Sequence, residues 1–355
     1  MRRLPVFLIL DVSDSMIGEP HRYLEAGVEA LTKKLRQDPQ ALETVHLSII
    51  AFAGQVKTIV PLIDLPTFYA PKLPIGAGTS LGAALEHLMA EMDKNVIPTT
   101  PTAKGDWKPV IYFLTDGKPT DKYQDAIKKW QQHYAKRCLM IVIGLGQYAD
   151  LSAMAGISDE AFVYNGEKEA DFARFIQWMT LSVKSQSVAV DKQSSATGCV
   201  SLEKAGGFLE KFDFNSTYSD QDCVVFVGRC QKFKKPYLIK YDRMPTFMEM
   251  GLDLSKMDAG QKLYHVTGCY PTDESYFDWS EDKENVNPVI NVKNLVGGVG
   301  CPYCGNAYAL GICKCGAVFC VGDDENAQCP WCEAQLKMQS SSADSEGFEI
   351  TRSKG

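Results

Sequence analysis

Apolar residues in the first half of the chain follow two alternating patterns. Short continuous runs, "LPVFLIL" (4–10), "VHLSIIAF" (45–52), "PVIYFLT" (109–115) and "CLMIVIGLG" (138–146), predict strands buried on both faces. Between them, apolar positions recur at helical spacing. Leu24, Val28, Leu31 and Leu35 mark a helix over 20–36, and further helices are predicted from Ser80 to about Lys94, over 121–136 and over 168–183. "QVKTIVPL" (55–62) has a proline at its end and reads as an edge strand, while "AFVY" (161–164) adds a short one. Strands and helices in alternation predict an α/β domain over residues 1–185, a doubly wound, mostly parallel sheet with helices on both faces.

Beyond this domain the pattern changes. Residues 186–198 are small and polar and read as a linker. The span 199–296 is β-rich: "CVVFVGRCQKFKKPYLIKY" (223–241) predicts two strands joined by a Lys-Lys-Pro turn region. A cysteine-rich segment covers 297–338, and the polar stretch 339–355 reads as a disordered tail. The expected architecture is therefore an α/β domain followed by a smaller β-rich module.

Composition narrows the function classes. Of the 355 residues, 45% are hydrophobic and 23% charged, as in a soluble globular protein. No apolar run reaches the roughly 18–20 residues of a membrane span. The opening "MRRLPVFLILDVSDSM" imitates a secretory leader for a few residues, but its apolar run contains a proline and ends at Asp11 without a small-residue cleavage site. It reads as a first strand, and a cytoplasmic location is expected. Seven of the 12 cysteines lie between Cys301 and Cys332, whereas a secreted disulfide framework would spread them more evenly. A net charge of −7 weighs against a protein whose whole surface binds nucleic acid.

Two constellations carry candidate chemistry. At the end of the first strand, "LILDVSDSMIGEP" (8–20) sets Asp11, Ser13, Asp14 and Ser15 against an apolar run. Alternation in an extended segment turns Asp11, Ser13 and Ser15 toward one point, where open α/β sheets place their ligands. Thr79 in "GAGTSLG" and Asp116 in "LTDG" can reach the same region. Two carboxylates and three hydroxyls, with no sulfur or imidazole, suit Mg²⁺, or Mn²⁺ or Ca²⁺, rather than zinc. Two carboxylates only balance such an ion; if either acts through water, the ion keeps at least one exchangeable position, which a partner's carboxylate could take.

The second constellation is Cys301, Cys304, Cys313, Cys315, Cys320, Cys329 and Cys332, in C-x₂-C, C-x-C, lone Cys and C-x₂-C order. Paired thiolates at this spacing take one edge of a zinc tetrahedron, with Gly305 and Gly316 easing the turns. Seven thiolates exceed one zinc site and fall one short of two. Asp323, His265 or Cys269 could supply an eighth ligand; alternatively one site holds four and the rest are core. One or two Zn²⁺ ions are expected.

"DVSDSMIG", with Thr79 and Asp116 in order, resembles the metal-ion-dependent adhesion site of von Willebrand factor A domains. In that family the serines and the threonine bind the metal directly and the aspartates largely through water. The resemblance implies those roles for Ser13, Ser15, Thr79, Asp11 and Asp116. The cysteine segment, with "VVFVGRCQKFKKPYLIKY" and "YHVTGCYPTDESYFDW", resembles the C-terminal metal-binding module of TerY-like proteins from tellurite-resistance and stress operons. That likeness implies a bacterial, non-enzymatic scaffold or regulator working beside a Ser/Thr protein kinase and a PP2C-type phosphatase. Two rivals stand beside it. A nucleic-acid regulator could use the basic run Arg229, Lys232, Lys234, Lys235 and Lys240, although a solvated hairpin face explains that run more simply. A metal-dependent phosphate hydrolase could use the oxygen site, although no second metal is implied there. The serines lack a histidine base, and "GAGTSLG" lacks the ending of a phosphate loop.

Overall fold

The computed structural model describes residues 2–146, 149–158, 160–164, 169–191, 209–212, 214, 223–245, 262–281, 289–324, 326–337 and 349–351. The chain divides into two compact units, one of residues 1–74 and 79–220, the other of 75–78 and 221–355.

In the first unit the elements are β1 (Leu4–Asp11), α1 (Glu19–Arg36), α2 (Pro39–Thr44), β2 (Val45–Phe52), β3 (Val56–Asp64), α3 (Leu81–Asn95), β4 (Val110–Thr115), α4 (Gln124–His133), β5 (Leu139–Leu145), β6 (Glu160–Tyr164), α5 (Glu169–Asp191) and β7 (Leu209–Lys211). They build one sheet in the order β3-β2-β1-β4-β5-β6-β7, parallel except for its outer strands β3 and β7. All of β1 and all of β4 are buried, which is why both read as unbroken apolar runs. The helix positions named from periodicity, Leu24, Val28, Leu31 and Leu35, are all buried. Pro61 sits inside β3, where the pairing slips between Leu47 and Ile49; an edge strand tolerates a residue that donates no ladder hydrogen bond.

The expected boundaries shift. Helix α5 continues to Asp191, past the helix end expected at 183 and the domain end expected at 185, into the stretch read as linker. Strand β7 lies within the span assigned to the second module, yet it pairs antiparallel with β6. Residues 192–198 of the expected linker lie outside the described residues.

The second unit contains β8 (Cys223–Arg229), β9 (Pro236–Arg243), β10 (Tyr264–Pro271), α6 (Ser275–Trp279), β11 (Val289–Asn291), β12 (Leu295–Val296), β13 (Tyr308–Ile312), β14 (Val318–Val321), β15 (Asn326–Gln328), β16 (Gln335–Lys337) and β17 (Glu349–Thr351). Its main sheet runs β12-β10-β9-β8-β14-β13, and β11-β17 and β15-β16 form two-stranded ribbons. The β8–β9 hairpin is the one read from the sequence. Its inward residues Val224, Phe226, Tyr237, Ile239 and Tyr241 pack with Cys230, Cys301 and Cys320 in a single core. The segment 75–78 is bound into this unit: Ala77 N donates to Ser280 Oγ at 3.0 Å, and Glu281 N donates to the Ala77 carbonyl at 3.2 Å. Of the tail expected to be disordered, 349–351 form β17 against β11, with Ile350 buried; the remainder of 339–355 lies outside the described residues.

Candidate functional site

The sheet order reverses at β1, which has β2 on one side and β4 on the other, and a ligand crevice opens beyond the carboxyl ends of strands so arranged. Register pairs Leu10 with Leu114, so the next residues, Asp11 and Thr115, meet at the rim. Thr115 Oγ1 donates to Asp11 Oδ2 at 2.6 Å, and Ser13 N donates to Asp11 Oδ1 at 2.9 Å. Both carboxylate oxygens are thus partly spent on protein donors, which suits an aspartate acting on a cation through water. The Ser13 and Ser15 hydroxyls lie 2.9 Å apart, and Ser15 Oγ donates to Asp116 Oδ2.

Ser15 reaches this position by a different route from the one expected. The strand ends at Asp11, and Asp14–Met16 form a short 3₁₀ turn, with Met16 N bonded to the Ser13 carbonyl at 3.0 Å. The turn, rather than strand alternation, folds Ser15 back toward Ser13 and Asp116.

Thr79 is 1% exposed, and its Oγ1 is buried without a hydrogen-bond partner among the described residues. A buried hydroxyl in that state costs roughly 1–3 kcal/mol unless something else satisfies it. Asp11, fully buried and facing the Asp116 charge, is pushed up to about 7 when no cation balances the pair. An oxygen-only donor set, an orphaned hydroxyl and two facing carboxylates all fit a hard divalent cation.

In the second unit the cysteines separate into two groups of four: Cys230, Cys301, Cys304 and Cys320; and Cys313, Cys315, Cys329 and Cys332. Within each group the sulfurs lie within 4.8 Å of one another. Individual pairs are closer: Cys304–Cys320 at 3.6 Å, Cys313–Cys332 at 3.6 Å and Cys315–Cys329 at 3.9 Å. A tetrahedron with bonds of about 2.3 Å has edges of about 3.8 Å, so both groups have the dimensions of a zinc–thiolate site. All eight are free thiols. Burial pushes the Cys301 and Cys320 thiols up and raises Cys313 to about 12, whereas at Cys304 burial is outweighed by hydrogen bonds from the Asn306 amide and neighbouring thiols, which pull that thiol down.

The eighth thiol is Cys230. Asp323, His265 and Cys269, the residues considered for that place, belong to neither group among the described residues. Cys230 shares a backbone device with the two C-x₂-C knuckles. Cys230, Cys301 and Cys329 each accept at their carbonyl from the amide four residues on, at 2.8, 3.2 and 3.0 Å. Each also donates from its own amide to the carbonyl five residues on, at 2.8, 2.9 and 3.0 Å. In all three turns the fourth residue beyond the cysteine has positive φ: Lys234 at 60°, Gly305 at 75° and Glu333 at 61°. The β8–β9 turn is therefore a knuckle in which Phe233 stands where a second cysteine would. Its missing ligand is Cys320 of β14, brought alongside because Phe319 pairs with Arg229. Gln231 N and Asn306 Nδ2 approach Cys320 Sγ at 3.3 and 3.5 Å, donors that orient a thiolate.

Glu333 holds a conformation that costs an L-residue roughly 1–2 kcal/mol. Glu333→Gly is therefore expected to stabilise the second unit by about 0.5–1 kcal/mol, since glycine's greater freedom in the unfolded chain offsets part of the relief. A lower urea midpoint than wild type would contradict this.

The basic run is less available than its sequence suggests. Arg229 makes a bidentate pair with Glu274 at 2.7 and 3.1 Å and lies 4.5 Å from the centre of the Trp331 ring. Lys240 is 11% exposed and 3.7 Å from Asp242. Lys232, Lys234 and Lys235 remain exposed at the turn.

Residues 6–178 match the von Willebrand factor type A domain, and the first unit, with its sheet and strand-end oxygen cluster, is such a domain. Residues 220–355 match the TerY-C metal binding domain, so the chain joins a von Willebrand factor type A domain to a TerY-C metal binding domain. The pair describes a metal-binding protein of scaffold type.

Among solved structures, proximal thread matrix protein 1 from the mussel byssus is similar at 15% identity and TM-score 0.37, over 52% of this chain and 48% of that one. A von Willebrand factor type A protein from Catenulispora acidiphila is similar at 16% identity and TM-score 0.38, over 51% of this chain and 43% of that one. BatB from Bacteroides thetaiotaomicron is similar at 16% identity and TM-score 0.37, over 52% of this chain and 99% of that one. The match thus spans about half the length of the first two. No curated protein matches the chain. Among the described residues, no helix is long and apolar enough to cross a membrane.

Proposed function

We propose that the chain is a non-catalytic scaffold that grips an acidic side chain of a partner protein through a divalent ion at the end of β1. The observation that carries this reading is Thr79 Oγ1, buried and with no hydrogen-bond partner among the described residues, taken with the strand-end cluster of Asp11, Ser13, Ser15 and Asp116. In this reading Ser13, Ser15 and Thr79 ligate Mg²⁺ (or Mn²⁺ or Ca²⁺) directly, while Asp11 and Asp116 act largely through water. The open position takes the partner's carboxylate, and bond-breaking is not required.

The second unit holds two Zn²⁺ ions, one among Cys230, Cys301, Cys304 and Cys320, the other among Cys313, Cys315, Cys329 and Cys332. These ions shape a second docking surface. The family likeness supports a setting in a bacterial tellurite-resistance or stress response, with a Ser/Thr kinase and a PP2C-type phosphatase as partners in the cytoplasm. The engagement of Arg229 and Lys240 within the protein weakens the nucleic-acid alternative, since three exposed lysines remain of the five residues in that run.

Affinity capture with and without Mg²⁺ tests the adhesion reading. Asp11→Ala and Thr79→Ala should each abolish the Mg²⁺-dependent fraction of captured partner while leaving the circular dichroism of the chain unchanged. Capture by either variant at the wild-type level would overturn the reading.

A further inference from the structure

The segment that follows Asp116 reaches back to the loop that carries Thr79. Thr79 N donates to Thr120 Oγ1 at 2.9 Å, and Thr120 N donates to the Thr79 carbonyl at 2.9 Å. One residue therefore engages both backbone polar groups of Thr79, whose carbonyl also accepts from Leu81 N at 3.0 Å. The next residue, Asp121, accepts from Gly82 N and Ala83 N, each at 3.1 Å, with one carboxylate oxygen apiece. These are orphan amides in the first turn of α3. Ser80 occupies the cap position but gives no side-chain cap; its hydroxyl donates to the Gly54 carbonyl at 3.0 Å instead. The N-terminal charge of α3 is thus met by an aspartate from a different loop. The approach is close: a Cβ on Gly82 would lie 2.8 Å from the Lys122 carbonyl and 3.0 Å from Asp121 Oδ2.

From this geometry we infer that Thr120 is a positioning residue for the metal ligand Thr79, with Asp121 anchoring the helix that Thr79 leads. The inference rests on the adhesion-site reading above. Magnesium requires near-octahedral oxygens at about 2.0–2.1 Å, so a ligand hydroxyl on a free loop would bind poorly. A short backbone rotation at Thr79 would carry Oγ1 away from the ion. Pinning both its N–H and its carbonyl removes that freedom, and it does so from the segment that also carries Asp116. The two ligand segments are stitched together before any ion arrives, which lowers the ordering cost of binding.

Mn²⁺ titration of the full chain, read as free Mn²⁺ by electron paramagnetic resonance, tests the assignment, with Asp11→Ala as the baseline for uptake elsewhere. Thr120→Val keeps the side-chain shape and removes the acceptor, and is expected to weaken Mn²⁺ binding about tenfold, the usual loss when the support of a ligand is removed. Thr120→Ser restores the acceptor and should bind as wild type does, a rescue that a purely packing role would not give. Should Thr120→Val fail to fold, Asp121→Asn serves in its place and should weaken binding several-fold. Wild-type affinity in a folded Thr120→Val chain, or in Asp121→Asn where that is the variant used, overturns this inference alone. Wild type that takes up no more Mn²⁺ than Asp11→Ala overturns the adhesion-site reading and the inference with it.

Discussion

Cys230→Ser is expected to release one of two zinc ions and to loosen the core of the TerY-C unit. Cys230 is fully buried at the end of β8, and its sulfur accepts from Phe233 N at 3.3 Å within a knuckle turn. It lies in the same core as Cys301 and Cys320. A structural zinc contributes on the order of 10 kcal/mol or more to a small domain, and a serine hydroxyl does not replace a thiolate in a closed site. The zinc content of the purified chain should fall from two ions to one. Cys269→Ser makes the control: Cys269 packs beside the same core, and burial raises its thiol to about 12, yet it belongs to neither thiol group. Metal analysis should find two zinc ions in that variant. Equal loss in both, or none in Cys230→Ser, would sink the assignment of Cys230.

The loosening should reach the second group as well, without releasing its ion, because the two groups interleave along the chain. Cys230, Cys301 and Cys304 serve the first group, Cys313 and Cys315 the second, Cys320 the first again, and Cys329 and Cys332 the second. The β13–β14 hairpin therefore feeds both: its turn supplies Cys313 and Cys315, and its return strand supplies Cys320. Phe319 on that strand belongs to a core with Cys313 and Cys329, while Cys320 beside it belongs to the other core. Emptying the first group frees a strand that the second group needs.

Particular residues show how far the sequence carried this picture. The parallel strands were legible because burial on both faces forces unbroken apolar runs, and α1 was legible because its core stripe repeats at 3.6. Asp11, Ser13, Ser15, Thr79 and Asp116 stood out as candidate ligands because each stands where a strand ends or a helix begins. Strand β7 was not: three residues, Leu-Glu-Lys, carry too short a pattern, and only their pairing with β6 defines them. Cys230 was not, because its knuckle lacks the second cysteine that makes such turns visible. The recurring signal was the backbone turn, and φ angles are invisible where the residue is Lys234 and not glycine. Thr115, Thr120 and Asp121 escaped notice for a similar reason. They bond to residues 38 to 104 positions away, and nothing in "TDGKPTD" separates a ligand from its supports.

The three metal positions should also empty in a fixed order under chelation, each for a different physical reason. At the proposed oxygen site an ion would keep exchangeable waters and be held by two carboxylates, both engaged by protein donors. It should lose its ion first, within the time of a brief EDTA treatment. In the second thiol group Cys315 and Cys332 are exposed, so a chelator can attack that zinc directly. In the first group Cys230, Cys301 and Cys320 are buried and only Cys304 is part-exposed, so release there requires the core to open. Zinc release monitored with a chromogenic chelator should therefore be biphasic, with one ion per phase. Cys332→Ser should abolish the faster phase and Cys230→Ser the slower. Partner capture lost in brief EDTA should return on adding Mg²⁺ alone, before either zinc phase has progressed. A chain that recovers capture only with added zinc would place the binding surface on the thiolate module, and Asp11, Ser13 and Ser15 would then have no part in holding the partner.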